Sequence, residues 1–253
     1  MFGPRMPEQA LLLIAGAAVA GFVQGLSGFA FGMVAMSIWA WGIDPRIAAV
    51  LTVFGALTGQ IVAAFSAPRA PRWALLLPFV VGGLVGVPIG TALLPHLDPA
   101  RFKTFFGLML VIWCPVMLFS QKLPRVTWGG RLADGVAGAA GGVLGGLGGF
   151  TGVIPTLWCT LRGLEKDLQR SLVQNFNLAM LSVTMAGYLL SGKVGADMLP
   201  RFAVVAPALL IPSLLGARIY IGLSEMAFRR VVLSLLTASG FVMLASSLPK
   251  LLA

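Results

Sequence analysis

The chain has 253 residues, of which 58% are hydrophobic and only 10% charged, with 18 Lys and Arg against 8 Asp and Glu for a formal net charge of +10. Its mean hydropathy is +0.94. A soluble domain carries about a quarter charged residues, so this composition excludes a water-facing globule and predicts an integral membrane protein of one domain. The positive charge falls in short loops. There it sets topology and meets lipid headgroups rather than nucleic acid, and the same field attracts anions.

Met1 to Glu8 holds a single arginine and runs into an apolar stretch without a small-residue cleavage site, which reads as a first membrane segment rather than a signal peptide. Apolar segments follow at about 9–25, 28–43, 46–66, 73–95 and 100–120, then at 131–148, 150–162, 168–191, 200–221 and 227–248. Pro and charge mark the turns between them, as at Asp44-Pro45-Arg46, Leu97-Asp98-Pro99-Ala100-Arg101 and Gln121-Lys122-Leu123-Pro124-Arg125. The two cysteines, Cys114 and Cys159, sit inside apolar segments with no metal-ligand spacing, and nothing in the chain calls for a cofactor.

Two glycine breaks interrupt this pattern, Gly25-Leu26-Ser27-Gly28-Phe29 and Gly146-Leu147-Gly148-Gly149-Phe150. Glycine is a poor helix residue, and broken backbone survives at membrane depth only where protein or a water-filled cavity surrounds it. The two halves match around these breaks. Gly21, Gly25, Leu26, Gly28, Phe29 and Gly42 each meet the same residue 121 positions later, and Asp44 is answered by Glu165. Gly90, Phe102 and Lys103 then find Gly216, Phe228 and Arg229 at an offset of 126. The expected organisation is a repeat over about 9–120 and a second over about 131–248.

At 1.5 Å per residue, 150–162 reaches only about 20 Å, short of the roughly 30 Å hydrocarbon core. Each half then opens with a broken or re-entrant helical hairpin followed by three transmembrane helices. An odd number of crossings per half inverts one repeat relative to the other. If each break lies inside one continuous span, the repeats are parallel instead. The Lys/Arg distribution leans towards a cytoplasmic Arg69/Arg72 and Arg229/Arg230 side, with both termini outside.

Both breaks have the form Gly-Leu-(Ser/Gly)-Gly-Phe, and Gly216-Ala217-Arg218 precedes an Arg-containing final helix. In these features, over essentially its whole length, the chain resembles the TauE/SafE, or sulfite exporter, family. The resemblance implies a bacterial inner-membrane carrier for sulfite, sulfoacetate and other organosulfonates, or thiosulfate-like oxyanions. Its halves are unequal, because Gln24 and Ser27 of the first stand where the second has Gly145 and Gly148.

The acids Glu8, Asp44, Asp98, Asp134, Glu165, Asp167, Asp197 and Glu225 all read as loop or segment-end residues, and the one histidine, His96, borders a loop. That argues against a carboxylate proton relay and against an enzyme. What remains suits a small anion. Helix N-termini after the breaks offer N–H groups and the positive end of the dipole, and glycine lets an oxyanion approach the backbone. The candidate substrate-binding residues are Gln24, Gly25, Ser27, Gly28 and Phe29 at the first break, and Gly148, Gly149, Phe150 and Thr151 at the second. Asn175 and Asn177, polar within an apolar helix, and Arg218, whose guanidinium matches a sulfonate, complete the set. Each has a structural counterpart: close packing for the glycines, interhelical bonding for the amides, snorkelling for Arg218. The six tryptophans read mostly as an interfacial belt, with Trp158 and the phenylalanines of the breaks as possible walls or gates.

Export also suits the energetics. An inside-negative cell expels a divalent anion with about 4.6 kcal/mol per 100 mV and needs no coupling ion. Import of a sulfur oxyanion or a carboxylate, and a membrane scaffold that carries nothing, stay open as alternatives, as does monomer against homodimer.

Overall fold

The computed structural model describes residues 6–27, 30–66, 70–120, 124–219 and 225–252, which form helices joined by short turns and irregular segments, with no strand among them. Ten α-helices follow in order: α1 (Met6–Ser27), α2 (Phe31–Trp39), α3 (Pro45–Ser66), α4 (Trp73–Leu93), α5 (Pro99–Phe119), α6 (Gly130–Gly148), α7 (Val153–Leu161), α8 (Lys166–Leu190), α9 (Leu199–Ile219) and α10 (Glu225–Leu252). The starts follow local chemistry. Pro45 opens α3, and Pro99 opens α5 after Asp98, whose carboxylate accepts the Arg101 N–H at 2.8 Å.

Six helices are long and apolar enough to cross a membrane, over residues 9–27, 45–65, 73–96, 99–119, 196–216 and 230–249. Their outer faces leave Leu77, Val81, Val85 and Ile89 of α4 and Ile211, Leu214 and Leu215 of α9 exposed. In water such faces would aggregate, whereas lipid covers them. The chain is a multi-pass membrane protein.

The helix α8 has 25 residues, long enough to cross, and is more polar than those six, with Gln174, Asn175 and Asn177 in its length. The expected segment at 168–191 is a helix over Lys166–Leu190. A helix wrapped by its neighbours need not be lipid-soluble, and α8 buries Leu172, Phe176, Asn177, Met180, Thr184 and Tyr188. The belt reading of the tryptophans is corrected in part. Trp41, Trp73 and Trp128 are exposed, but Trp39 and Trp113 are buried and donate their indole N–H groups to the carbonyls of Leu12 and Val153 at 3.1 and 2.8 Å.

The nine-residue helices α2 and α7 reach about 14 Å each, too short to cross. Each doubles back along the helix before it. Arg162, just past the end of α7, places Nη1 at 2.7 and 2.8 Å from the two carboxylate oxygens of Asp134, the fifth residue of α6. In the first half the Trp39 indole of α2 reaches the Leu12 carbonyl early in α1, and a Cβ at Gly16 would strike its ring.

The longest contacts run between halves. The helix α4 lies along α6, α9 lies along α1, and α5 pairs with α10. Gly82, Gly86 and Gly90 on α4 meet backbone of α6, while Gly138, Gly142 and Gly146 on α6 meet backbone of α4. A Cβ at Gly86 would fall on the Ala139 carbonyl oxygen and one at Gly142 on the Gly83 carbonyl oxygen. Gly21 and Gly216 do the same work between α1 and α9. Without a hydrophobic force between helices in lipid, such close approach is a main source of association.

Replacing Gly86 or Gly142 by leucine should therefore cost at least the roughly 1–3 kcal/mol of core overpacking, since helix backbone cannot swing aside as a side chain does. A melting midpoint in detergent unchanged from wild type would contradict this packing.

Candidate functional site

The second break is built on Gly149, whose φ of 77° lies in the left-handed region where a side chain would be strained. Its N–H closes on the Gly145 carbonyl at 2.8 Å, and the Phe150 N–H reaches the Leu144 carbonyl at 3.3 Å, so α6 ends with its last carbonyls bonded. The chain turns through Phe150, Thr151 and Gly152 into α7. The Gly149 carbonyl oxygen lies 3.0 Å from where a Cβ on Gly32 of α2 would be, and Thr52 and Val53 of α3 stand 3.2–3.3 Å from a Cβ on Gly149. The end of α6, the first turn of α2 and the middle of α3 thus meet backbone to backbone.

Phe150 is 2% exposed and stacks on Phe106 of α5 with ring centroids 5.0 Å apart. It is an anchor in a filled core. Gly148 beside it packs on the Phe150 ring and, at 3.5 Å from a Cβ placed there, on Met36.

Five neutral polar side chains surround this crossing, each 5% exposed or less: Gln24, Thr52, Thr151, Asn177 and Thr184. Thr151 donates its hydroxyl to Asn177 Oδ1 at 2.8 Å, which ties the break to α8. Thr184, two turns further along α8, has its Oγ1 3.7 Å from where a Cβ on Gly145 would be. On the other side Gln24 donates through Nε2 to the Ala56 carbonyl at 3.3 Å, one turn along α3 from Thr52. Gln24 Oε1, Thr52 Oγ1 and Thr184 Oγ1 are buried without a hydrogen-bond partner among the described residues. A buried polar atom left so costs about 1–3 kcal/mol, and three around one crossing of helix ends ask for a ligand or water to complete them.

Several expected site residues make other contacts. Gly25 sits within α1, and Ser27 at its end accepts the Ala30 N–H at 3.3 Å, which starts the turn into α2. Asn175 bonds back to the Ser171 carbonyl at 2.8 Å, one turn down its own helix, whereas Asn177 reaches the break. Gly28 and Phe29 lie outside the described residues, and so does the side chain of Arg218 on α9. Thr52 and Thr184 were not foreseen, because a lone threonine in an apolar helix carries no pattern. Asp134 lies near the start of α6, at the segment end where the sequence puts it, and there it is 2% exposed and held by Arg162 and by the Trp158 indole at 2.7 Å.

The sequence model of a family described as sulfite exporter TauE/SafE matches residues 13–243. No curated protein and no solved structure matches the chain.

The unpartnered hydroxyls and the bonded one should answer valine differently. Thr52→Val and Thr184→Val keep shape and remove an unmet polar group, so thermal stability should hold or rise. Thr151→Val strands Asn177 and should cost about 1–3 kcal/mol. Equal losses in all three melting curves would contradict this assignment.

Proposed function

The chain belongs to the sulfite exporter TauE/SafE family of membrane transporters, and from that premise we propose that it carries a small sulfur-containing anion, sulfite or an organosulfonate such as sulfoacetate, outward across a bacterial inner membrane. The site proposed for the anion is the crossing of Gly149, Gly32 and Thr52, with Gln24, Thr184 and the Thr151–Asn177 pair around it. The observation that carries this reading is the set of buried oxygens without partners at Gln24, Thr52 and Thr184. Threonine hydroxyls that bond nothing among the described residues can rotate to donate to an oxyanion. Glycines on both sides let the anion reach the backbone, and neutral donors hold it without the deep attraction that would stop its release.

Alternating access in this reading comes from two inverted halves. Contacts at the helix ends support the inversion. The mouth of the first hairpin neighbours the α4–α5 turn, since Arg46 Nη2 donates to the Pro95 carbonyl at 2.7 Å and the Lys103 ammonium lies 4.9 Å over the Trp41 ring. The mouth of the second neighbours the far end of α3, since Ser171 of α8 donates to the Ala70 carbonyl at 3.2 Å. The 22 residues of α3, about 33 Å of helix, separate the two. Outward movement follows the membrane potential, which drives anions out of an inside-negative cell without a coupling ion.

Purified protein in liposomes should release labelled sulfite or sulfoacetate faster when the inside is made negative. Thr52→Val and Thr184→Val, stable by the argument above, should slow that release about tenfold or more for each hydrogen bond lost to the anion. Vesicles that move none of these anions in either direction would overturn the reading.

A further inference from the structure

The second hairpin closes on a cluster that the site above does not use. Arg162 is 27% exposed in its side chain and Asp134 3%, so the carboxylate is sealed in while the guanidinium reaches the surface. Only Nη1 of Arg162 touches Asp134, at 2.7 and 2.8 Å, and Nε and Nη2 have no partner among the described residues. That leaves most of a guanidinium fork open to a second oxyanion. Trp158 Nε1 donates to Asp134 Oδ1 at 2.7 Å. Arg125 lies beside Gly163, the residue after Arg162, its Nε, Cδ and Cζ 2.8–3.2 Å from where a Cβ there would be, so a second guanidinium stands at the same end of the hairpin.

Holding the hairpin does not require this arrangement. At the offset of 121 that relates the breaks, Asp134, Trp158 and Arg162 correspond to Leu13, Ser37 and Trp41. There Leu13 is buried as ordinary core, and the Trp39 indole ties α2 to α1 through the Leu12 carbonyl. The same element is closed at one end of the molecule without charge and at the other with a buried ion pair. A buried pair is poor evidence of stability, because desolvation offsets much of its attraction. Its presence on one hairpin alone points to use.

We propose that Arg162 is an entry site for the transported oxyanion at the mouth of the second hairpin, and that Asp134 occupies its guanidinium until the anion displaces it. The inference rests on the anion-carrier reading. The exchange is one anion for another at Arg162, so the guanidinium never loses its counter-charge. Asp134 keeps the Trp158 N–H when it gives up Arg162, which lowers the cost of releasing it. With the pair opened, the tie between the end of α7 and the fifth residue of α6 is gone, and the hairpin is free to part on this face alone. On the opposite face the cations near the hairpin mouth are held differently, Arg46 on the Pro95 carbonyl, Lys103 over the Trp41 ring and Arg101 on Asp98, and none of these contacts ties α2 to α1.

Trp158 supplies a readout independent of flux. Sodium sulfite added to the detergent-solubilised protein, with chloride as the control, should change an emission component that is missing in Trp158→Phe and lost in Arg162→Gln. Arg162→Lys, which keeps charge without the fork, should need about tenfold more sulfite. In liposomes Asp134→Leu/Arg162→Trp, which copies the first half, should elute and melt as a folded protein yet raise KM for sulfite about tenfold or more. A Trp158 emission indifferent to sulfite, or a double variant with wild-type KM, overturns the entry site and leaves the carrier reading standing. Wild-type vesicles that move no sulfite while Trp158 still responds to it overturn the carrier reading and leave an anion site at Arg162.

Discussion

Backbone that leaves the helix inside a bilayer has no water to bond with, and it persists only when protein is wrapped around it. This constraint organises the molecule. The chain breaks between α1 and α2 and again between α6 and α7, and every long helix pairing serves to enclose those breaks. The helix α4 lies on α6 and α9 on α1, so the first helix of each half is covered by the fourth helix of the other. Glycines at Gly82, Gly86, Gly90, Gly138, Gly142 and Gly146 bring α4 and α6 into backbone contact. The same residue type therefore does two jobs. Most glycines pull helices together, and Gly149 alone of the second break turns the chain through a left-handed conformation.

Inside that enclosure the polar groups are sparse and neutral. Thr151 and Asn177 satisfy each other and hold the turn in place, while Gln24, Thr52 and Thr184 keep oxygens in reserve. An ammonium or guanidinium at this depth would bind an anion strongly and release it slowly. Hydroxyls, an amide and helix ends offer smaller attractions spread over several contacts, which suits passage. Charge lies instead at the second hairpin's mouth, with Arg162, Arg125 and Asp134, where the proposed entry site would attract an anion. The halves share an order of elements but differ in chemistry at their hairpins.

Much of the architecture was legible in the chain. Bilayer-length apolar runs, Pro-rich turns and the shortness of 150–162 locate the helices to within a few residues, because lipid leaves few other solutions for apolar sequence. The candidate site was only partly legible. Thr151 and Asn177 stood out as polar residues in apolar surroundings and do meet at the break. Asn175 stood out equally and bonds to its own helix, since two residues along an α-helix turn a side chain about 200° away. Thr52 and Thr184 had no pattern to announce them. Asp134 read as a segment-end acid without a partner, because Arg162, which holds it inside, is 28 residues away and comes back to it only when α7 folds against α6.

By itself the sequence determined the membrane, the helices, the two breaks and the neutral character of the residues beside them. These depend on composition and on periods of a few residues, which solvent and backbone geometry read locally. Tertiary structure alone decided which glycines pack and which one turns, which amide reaches the break, and that one hairpin is closed by a buried ion pair and the other by an indole. Those outcomes depend on contacts between segments that are far apart in the chain. The crossing of Gly149 with Gly32, 117 positions earlier in the chain, is where they converge.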